Sequence, residues 1–215
     1  MRANLRGAAR AAALAAALFA GPGASAQTDP AASYPSRTIK MVVGFAAGGG
    51  NDIIARIIGQ KLQESLGQSV IIENKVGAGG RLAADAVMAS PPDGYTLLVG
   101  ASGAMSIIPA ISVKPPYDTL KSFAPVSMIA SFPLILTIYP SHPAKNVQEL
   151  VAWMKANPDK SNYATSSPAF TLATELFKLK TGAPATAIPY KSSNESLVSV
   201  IGQQSLLTSD SLLLL

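Results

Sequence analysis

Residues 44–52 read Gly44-Phe45-Ala46-Ala47-Gly48-Gly49-Gly50-Asn51-Asp52. The preceding residues 39–43 are apolar and β-type, and the following residues place isoleucines and leucines on one helical face. A glycine cluster between a strand and a helix leaves backbone N–H groups open to a ligand, because glycine has no side chain to cover them. The N-terminus of the helix adds a partial positive charge. This stretch therefore predicts an anion site at a strand-to-helix turn.

A second glycine turn, Gly77-Ala78-Gly79-Gly80, follows another apolar segment at 70–72 and precedes a predicted helix at 82–89. Two such turns in successive βα units lie side by side at the carboxyl edge of a parallel sheet, where ligands bind in open α/β folds. We therefore expect backbone N–H groups of residues 46–50 and 78–80 to hold one carboxylate together.

Strand and helix patterns alternate along the rest of the chain. The predicted strands are 38–45, 69–74, 95–100, 123–130, 134–139, 162–165, 185–188 and 206–209, and the predicted helices are 51–66, 80–90, 103–111, 147–156, 169–180 and 194–202. This alternation predicts an α/β fold with parallel sheets and right-handed crossovers. A break in the pattern near residue 130 divides the chain into a first α/β domain, 27–130, and a second, 131–215.

The N-terminal residues 1–26 have the pattern of a secretory signal peptide. Arg2, Arg6 and Arg10 precede a short apolar run, which ends in Ala24-Ser25-Ala26, a typical cleavage site. These arginines carry three of the five net positive charges, so +2 remains on residues 27–215 and no nucleic-acid partner is expected. The chain has no cysteine, which excludes disulfides and thiol chemistry.

Motifs in chain order resemble the periplasmic solute receptors of tripartite tricarboxylate transporters, the Bug receptors. The matching segments are 34–39, 45–52 with Ala55-Arg56, 66–68, 73–75, 77–80, Pro92-Asp93-Gly94-Tyr95-Thr96-Leu97, 123–126, 163–166, 175–177 and Ile188-Pro189-Tyr190-Lys191. The resemblance implies a periplasmic-binding-protein-like fold, often called a Venus flytrap, with two βαβ domains around a cleft. It implies a monomeric receptor for a small carboxylate, with membrane transporter subunits as partners, no cofactor and no catalysis.

The candidate ligand-binding residues follow from the glycine turns and from this resemblance. They are Phe45, Ala47, Gly48, Gly49, Asn51, Gly79, Gly80, Ser102, Thr165, Ser166, Ser167 and Asp210. Asp52 is expected to interact with the helix dipole, or with Arg56 four residues further on, rather than with an anion that it would repel. His142 is expected at the surface, and Trp153 is expected in core packing.

The sequence departs from the family pattern at two places. The loop Ser166-Ser167-Pro168-Ala169-Phe170-Thr171 is shorter than usual and lacks glycine, which leaves the identity of the acid open. The sequence also stops at Leu215, whereas family members run about half as long again. A non-functional truncated remnant, folding poorly and with its final ten residues poorly ordered, is therefore an alternative.

Two enzyme classes fit the sequence less well. A dinucleotide-binding oxidoreductase would need a third glycine at position 53, which is Ile53. A hydrolase would need a nucleophile elbow or a metal cluster, and the chain has one histidine and no Gly-x-Ser-x-Gly motif. The sequence therefore favours a binding protein over an enzyme.

Overall fold

The computed structural model describes residues 33–211, so the predicted signal peptide at 1–26 lies outside the described part. The strands are β1 (Ile39–Val43), β2 (Val70–Asn74), β3 (Thr96–Val99), β4 (Leu134–Ile138), β5 (Asn162–Thr165), β6 (Thr186–Pro189) and β7 (Leu207–Ser211). The α-helices are α1 (Gly50–Leu66), α2 (Arg81–Met88), α3 (Ile108–Ile111), α4 (Thr119–Ser122), α5 (Val147–Ala156), α6 (Pro168–Thr181) and α7 (Ser193–Ile201). Short 3₁₀ turns lie at Ala78–Gly80 and Pro158–Lys160, and a π-helical turn at Gly103–Ile107 leads into α3.

The first sheet is parallel, with strand order β2-β1-β3. Four of the five residues of β1 are apolar and buried because helices and both neighbouring strands cover them, whereas Lys40 is half-buried and pairs with Glu73 of β2. Met41, Val43 and Phe45 pack with Ala55 of α1 and Val99 of β3 to form the core of this sheet. Gly67 ends α1 in a left-handed conformation (φ 67°) that glycine adopts without strain.

The second sheet has the order β4-β7-β5-β6. β5 runs parallel to both of its neighbours, whereas β4 runs antiparallel to β7. The antiparallel pairing brings Leu134, the first residue of β4, beside Ser211, the last residue of β7. The predicted parallel pairing therefore does not hold for this edge strand. The α/β fold class itself is confirmed.

Two further expectations for the second half of the chain are wrong. Residues 123–130 form no strand, because no neighbouring strand in the described chain pairs with them, and Val126 is 84 % exposed. The expected disorder at the C-terminus does not extend to Leu207–Ser211, because β7 is a buried central strand. Residues 212–215 lie outside the described part.

His142 is buried rather than at the surface, with 1 % of its area exposed. Its ring packs edge-on against Tyr139 and Trp153, with ring centroids 5.1 Å and 4.8 Å away. Nδ1 accepts a hydrogen bond from the Ala144 N–H, and Nε2 has no partner among the described residues. Trp153 packs against the core of the second sheet, as expected.

The two sheets come from separate stretches of the chain, 39–99 and 134–211. The domain boundary predicted near residue 130 falls between them and stays a prediction. No helix in residues 33–211 combines the length and the apolar character that crossing a bilayer requires.

Candidate functional site

The glycine turn after β1 is held in shape by Asp52, which is 2 % exposed. Its Oδ2 accepts hydrogen bonds from the Gly48 N–H at 2.8 Å and from Arg56 Nε at 2.9 Å. Its Oδ1 accepts from Arg56 Nη2 and from Asn74 Nδ2, both at 2.9 Å. The predicted Asp52–Arg56 pair is therefore confirmed, and it anchors the turn to the helix that follows it.

These contacts also set the charge of Asp52. Burial alone would raise the pKa of its carboxyl, but the hydrogen bonds from Arg56, Gly48 and Asn74 outweigh burial and hold the pKa below its usual value. Asn74 lies at the end of β2, beside Val43 of β1, and also donates to the Phe45 carbonyl at 2.9 Å. One buried carboxylate thus holds the turn directly at Gly48 and, through Asn74, at Phe45.

A cavity of about 390 Å³ lies beside this turn, at the carboxyl edges of both sheets. Its lining residues are Phe45, Gly49, Gly50, Asn51, Gly100, Ala101, Ser102, Gly103, Ala130, Ser131, Phe132, Leu134, Ser166, Ser167, Ala169, Phe170, Ser192, Ser193 and Ser211. All of these described residues are apolar, amide-bearing or hydroxyl-bearing, and none carries a formal charge. The charge of a ligand would therefore be stabilised by the dipoles of backbone N–H groups and hydroxyls rather than by charged side chains.

Three helix N-termini supply those dipoles. α1 presents Gly50 and Asn51 to the cavity, α6 presents Ala169 and Phe170, and α7 presents Ser193. The first N–H groups of a helix have no acceptor inside the helix, and the aligned peptide dipoles place partial positive charge there. Convergence of three such ends makes the cavity electropositive without a lysine or an arginine, which suits an anion.

Serine hydroxyls form one wall of the cavity. Ser166 Oγ lies 3.2 Å from Ser193 Oγ, which joins the loop after β5 to the start of α7. Ser192 caps α7 by accepting from the Glu195 N–H at 3.2 Å. Ser167 caps α6 in the same way through the Phe170 N–H at 3.4 Å. The wall therefore offers donors and acceptors to a polar group of a ligand.

Asp210 lies behind this wall and is completely buried. Its Oδ1 accepts from the Ser211 N–H at 2.7 Å, and Oδ2 makes no hydrogen bond of ordinary geometry with another described residue. Burial raises the pKa of the Asp210 carboxyl, an effect that the Ser211 N–H and the hydroxyls of Ser193 and Ser211 only partly oppose. The buried group therefore resists carrying a negative charge next to the cavity.

Six of the twelve predicted site residues line the cavity, namely Phe45, Gly49, Asn51, Ser102, Ser166 and Ser167. The other six, Ala47, Gly48, Gly79, Gly80, Thr165 and Asp210, lie outside the lining. The hydroxyl of Thr165 is engaged by Thr171 Oγ1 at 2.9 Å. The Gly48 N–H is engaged by Asp52.

The second glycine turn packs against Gly44 and Phe45, at the start of the first turn. A β-carbon placed on Gly44 would lie 2.5 Å from the Gly80 Cα, and one placed on Gly80 would lie 3.3 Å from the Phe45 ring. The Gly80 N–H already donates to the Gly77 carbonyl at 3.0 Å. These glycines let two backbones approach closely, so the expected N–H donors at 78–80 do not reach the cavity lining.

Several lining residues were missed from the sequence. Ser131, Phe132 and Leu134 belong to the connection between the sheets and to an edge strand whose direction the pattern did not reveal. Ser192 and Ser193 could have been found, because Ser192-x-x-Glu195 is a helix-capping pattern.

Comparison with known proteins places this geometry in a family. The profile of the "Tripartite tricarboxylate transporter family receptor", TctC, matches residues 54–213. The protein BugT of Bordetella pertussis is 40 % identical over 177 residues, which are 79 % of this chain and 53 % of BugT. This chain therefore spans about half the length of that relative.

Two solved structures with ligands are similar to the whole described fold. Rpa4515 of R. palustris with adipate aligns at a TM-score of 0.79 and 36 % identity, covering 83 % of this chain and 60 % of its own. MatC (Rpa3494) from Rhodopseudomonas palustris with bound malate aligns at 0.78 and 31 %, covering 83 % and 61 %. The expected resemblance is thus confirmed, and the chain belongs to the tripartite tricarboxylate transporter receptor family.

Proposed function

We propose that this protein is a periplasmic receptor that binds a small organic carboxylate in the cavity between its two sheets. The observation that carries the proposal is the convergence of three helix N-termini on a lining without charged side chains. Charge-assisted hydrogen bonds from main-chain N–H groups would hold the carboxylate. Receptors, not enzymes, make up the family, which supports binding as the function.

The acid that fits best is a dicarboxylate. One carboxylate would lie against the N–H groups of Gly50 and Asn51, and the second would meet the hydroxyls of Ser166 and Ser193 across the cavity. Adipate and malate, the ligands of the two similar structures, are both acids of this class. Both are small enough for a cavity of about 390 Å³.

We further propose that membrane subunits of a tripartite tricarboxylate transporter receive the ligand from the periplasm. The predicted signal peptide at 1–26 and the family membership support this location and this partner. The twelve predicted residues, reduced to the six that line the cavity, are the proposed contact set.

The substitution Asn51→Asp tests the proposal, because it adds one negative charge to the cavity wall at the start of α1. At roughly 5–6 Å and an effective dielectric constant of about 20, repulsion of a carboxylate amounts to about 3 kcal/mol, or roughly a 100-fold weaker affinity. An acidic residue in the first turn also stabilises a helix, so the loss would not come from unfolding.

Gln60→Glu is the matched control, because it adds the same charge to an exposed position of the same helix. Isothermal titration with adipate and malate should show binding by the wild type and by Gln60→Glu, and strongly weakened binding by Asn51→Asp. Equal affinities of the two variants would refute this placement of the ligand. Absence of binding by the wild type would refute the receptor proposal itself.

A further inference from the structure

Two contacts connect the half of the chain that forms the first sheet to the half that forms the second. In the first, Asn194 Nδ2 of α7 donates a hydrogen bond to the Gly48 carbonyl at 3.0 Å. Gly48 is the same residue whose N–H is held by Asp52, so its carbonyl is fixed in direction. Asn194 itself is exposed and lies beside Ser193, which lines the cavity.

In the second contact, the ring of Pro168 at the start of α6 lies against two glycines of the first half. A β-carbon on Gly79 would lie 2.7 Å from Pro168 Cγ, and one on Gly103 would lie 3.1 Å from Pro168 Cδ. A side chain at position 79 would therefore overlap the ring, and one at position 103 would crowd it. Gly103 lies in a helical turn without positive φ, so packing against Pro168, rather than backbone conformation, requires glycine there.

We propose that Asn194 and Pro168 are closure contacts that set the affinity and residence time of the bound ligand without touching it. The inference rests on the proposed receptor function. Both contacts join elements on opposite walls of the cavity, so breaking them lets the walls separate and a bound ligand leave. A single exposed hydrogen bond contributes about 0.5–1.5 kcal/mol, so loss of the Asn194 contact should speed ligand release by roughly 2–10-fold.

The substitution Gly103→Ala tests the second contact and separates closure from folding. Alanine has a higher helix propensity than glycine, so helix propensity does not disfavour the variant. Its methyl group would nevertheless press on Pro168 and hold the two walls apart. Combining it with Pro168→Ala removes the overlap while the introduced methyl group takes the place of part of the lost ring contact, so closure should be restored. A direct clash of that methyl group with the ligand would not be relieved.

Because the chain has no cysteine, spin labels can be attached at single introduced cysteines. Closure can then be measured with or without a ligand. Cysteines introduced at the exposed positions Gln60 of α1 and Leu179 of α6 would carry spin labels on the two halves. Pulsed electron paramagnetic resonance then gives the distance distribution between them. Val198→Ala, an exposed change on the same helix as Asn194, is the matched control.

We expect Asn194→Ala and Gly103→Ala to shift the distance distribution to longer values. Val198→Ala should retain the wild-type distribution, and the double variant Gly103→Ala/Pro168→Ala should regain it. With adipate or malate bound, release should be faster in both single variants. Unchanged distances in Asn194→Ala and Gly103→Ala would overturn the inference, as would unchanged release rates. If the wild type binds neither acid, the proposed function fails, while the distances still decide whether these residues control closure.

Discussion

Asp52→Asn should destabilise the protein far more than the loss of an ordinary surface ion pair. The carboxylate is 2 % exposed and accepts four hydrogen bonds, from Gly48, Asn74 and twice from Arg56. An asparagine side chain turns one acceptor oxygen into a donor, so at least one of these donors loses its partner. Hydrogen bonds to charged groups contribute about 1.5–3 kcal/mol each.

The expected loss is moderated by solvent, because the Arg56 side chain is 54 % exposed and can be hydrated once its partner is gone. We therefore expect about 2–3 kcal/mol of lost unfolding free energy. For a protein of this size that corresponds to a fall in Tm of roughly 5–10 °C. Loosening of the turn should also weaken ligand binding.

Asp93→Asn is the matched control, because Asp93 forms an ion pair with Arg37 in which both side chains are exposed. Such pairs contribute about 0–1 kcal/mol. Thermal unfolding followed by circular dichroism would compare the two variants. If Asp52→Asn unfolds within about 1 °C of Asp93→Asn, the view that Asp52 organises the turn is wrong.

Three further outcomes are expected. Gly49→Val should abolish acid binding by filling the cavity wall, and calorimetry showing wild-type affinity would contradict this. Burial lowers the folded-state pKa of His142 below 6.5, so the unfolded chain binds the proton more readily and the free energy of unfolding should fall as the pH drops through 6.5 and below. A series of Tm measurements against pH should show a smaller fall in His142→Phe. Because burial raises the pKa of Asp210, an anion should bind better when this carboxyl is protonated, and its affinity should fall as the pH rises. Binding titrations from about pH 5 to 8 should show that Asp210→Asn loses this part of the pH dependence, and parallel curves for the two proteins would exclude a role of Asp210.

Local patterns predicted the first sheet and its turn well. The mostly apolar segment 39–43 is a central strand buried except at Lys40, and the glycines that follow open a long helix, as periodicity and backbone freedom indicate. The Asp52–Arg56 pair also followed from spacing alone, because residues four apart face each other on a helix. The turn, the helix and the ion pair depend on residues close in the sequence, whereas the central position of β1 depends on its pairing with β2 and β3.

The errors concern interactions between distant segments. Apolar alternation at 123–130 indicates a strand only if another strand pairs with it, and the described chain supplies none. His142 is flanked by a serine and a proline, but Tyr139 and Trp153 enclose it in three dimensions. Gly79 and Gly80 look like a second anion site by sequence, yet they serve the close approach of Pro168, Phe45 and Gly44.

Charge discrimination in the cavity tests the central claim most directly. Each helix N-terminus contributes roughly 1 kcal/mol to binding an anion, so three of them should favour a charged acid over its neutral amide by about 3 kcal/mol, or roughly 100-fold. Isothermal titration of the purified protein with adipate and with adipamide, which has the same chain length and no charge, measures this difference. Adipate should bind, and adipamide should bind far more weakly or not at all. Equal affinities for the two compounds, or binding of the diamide alone, would contradict it.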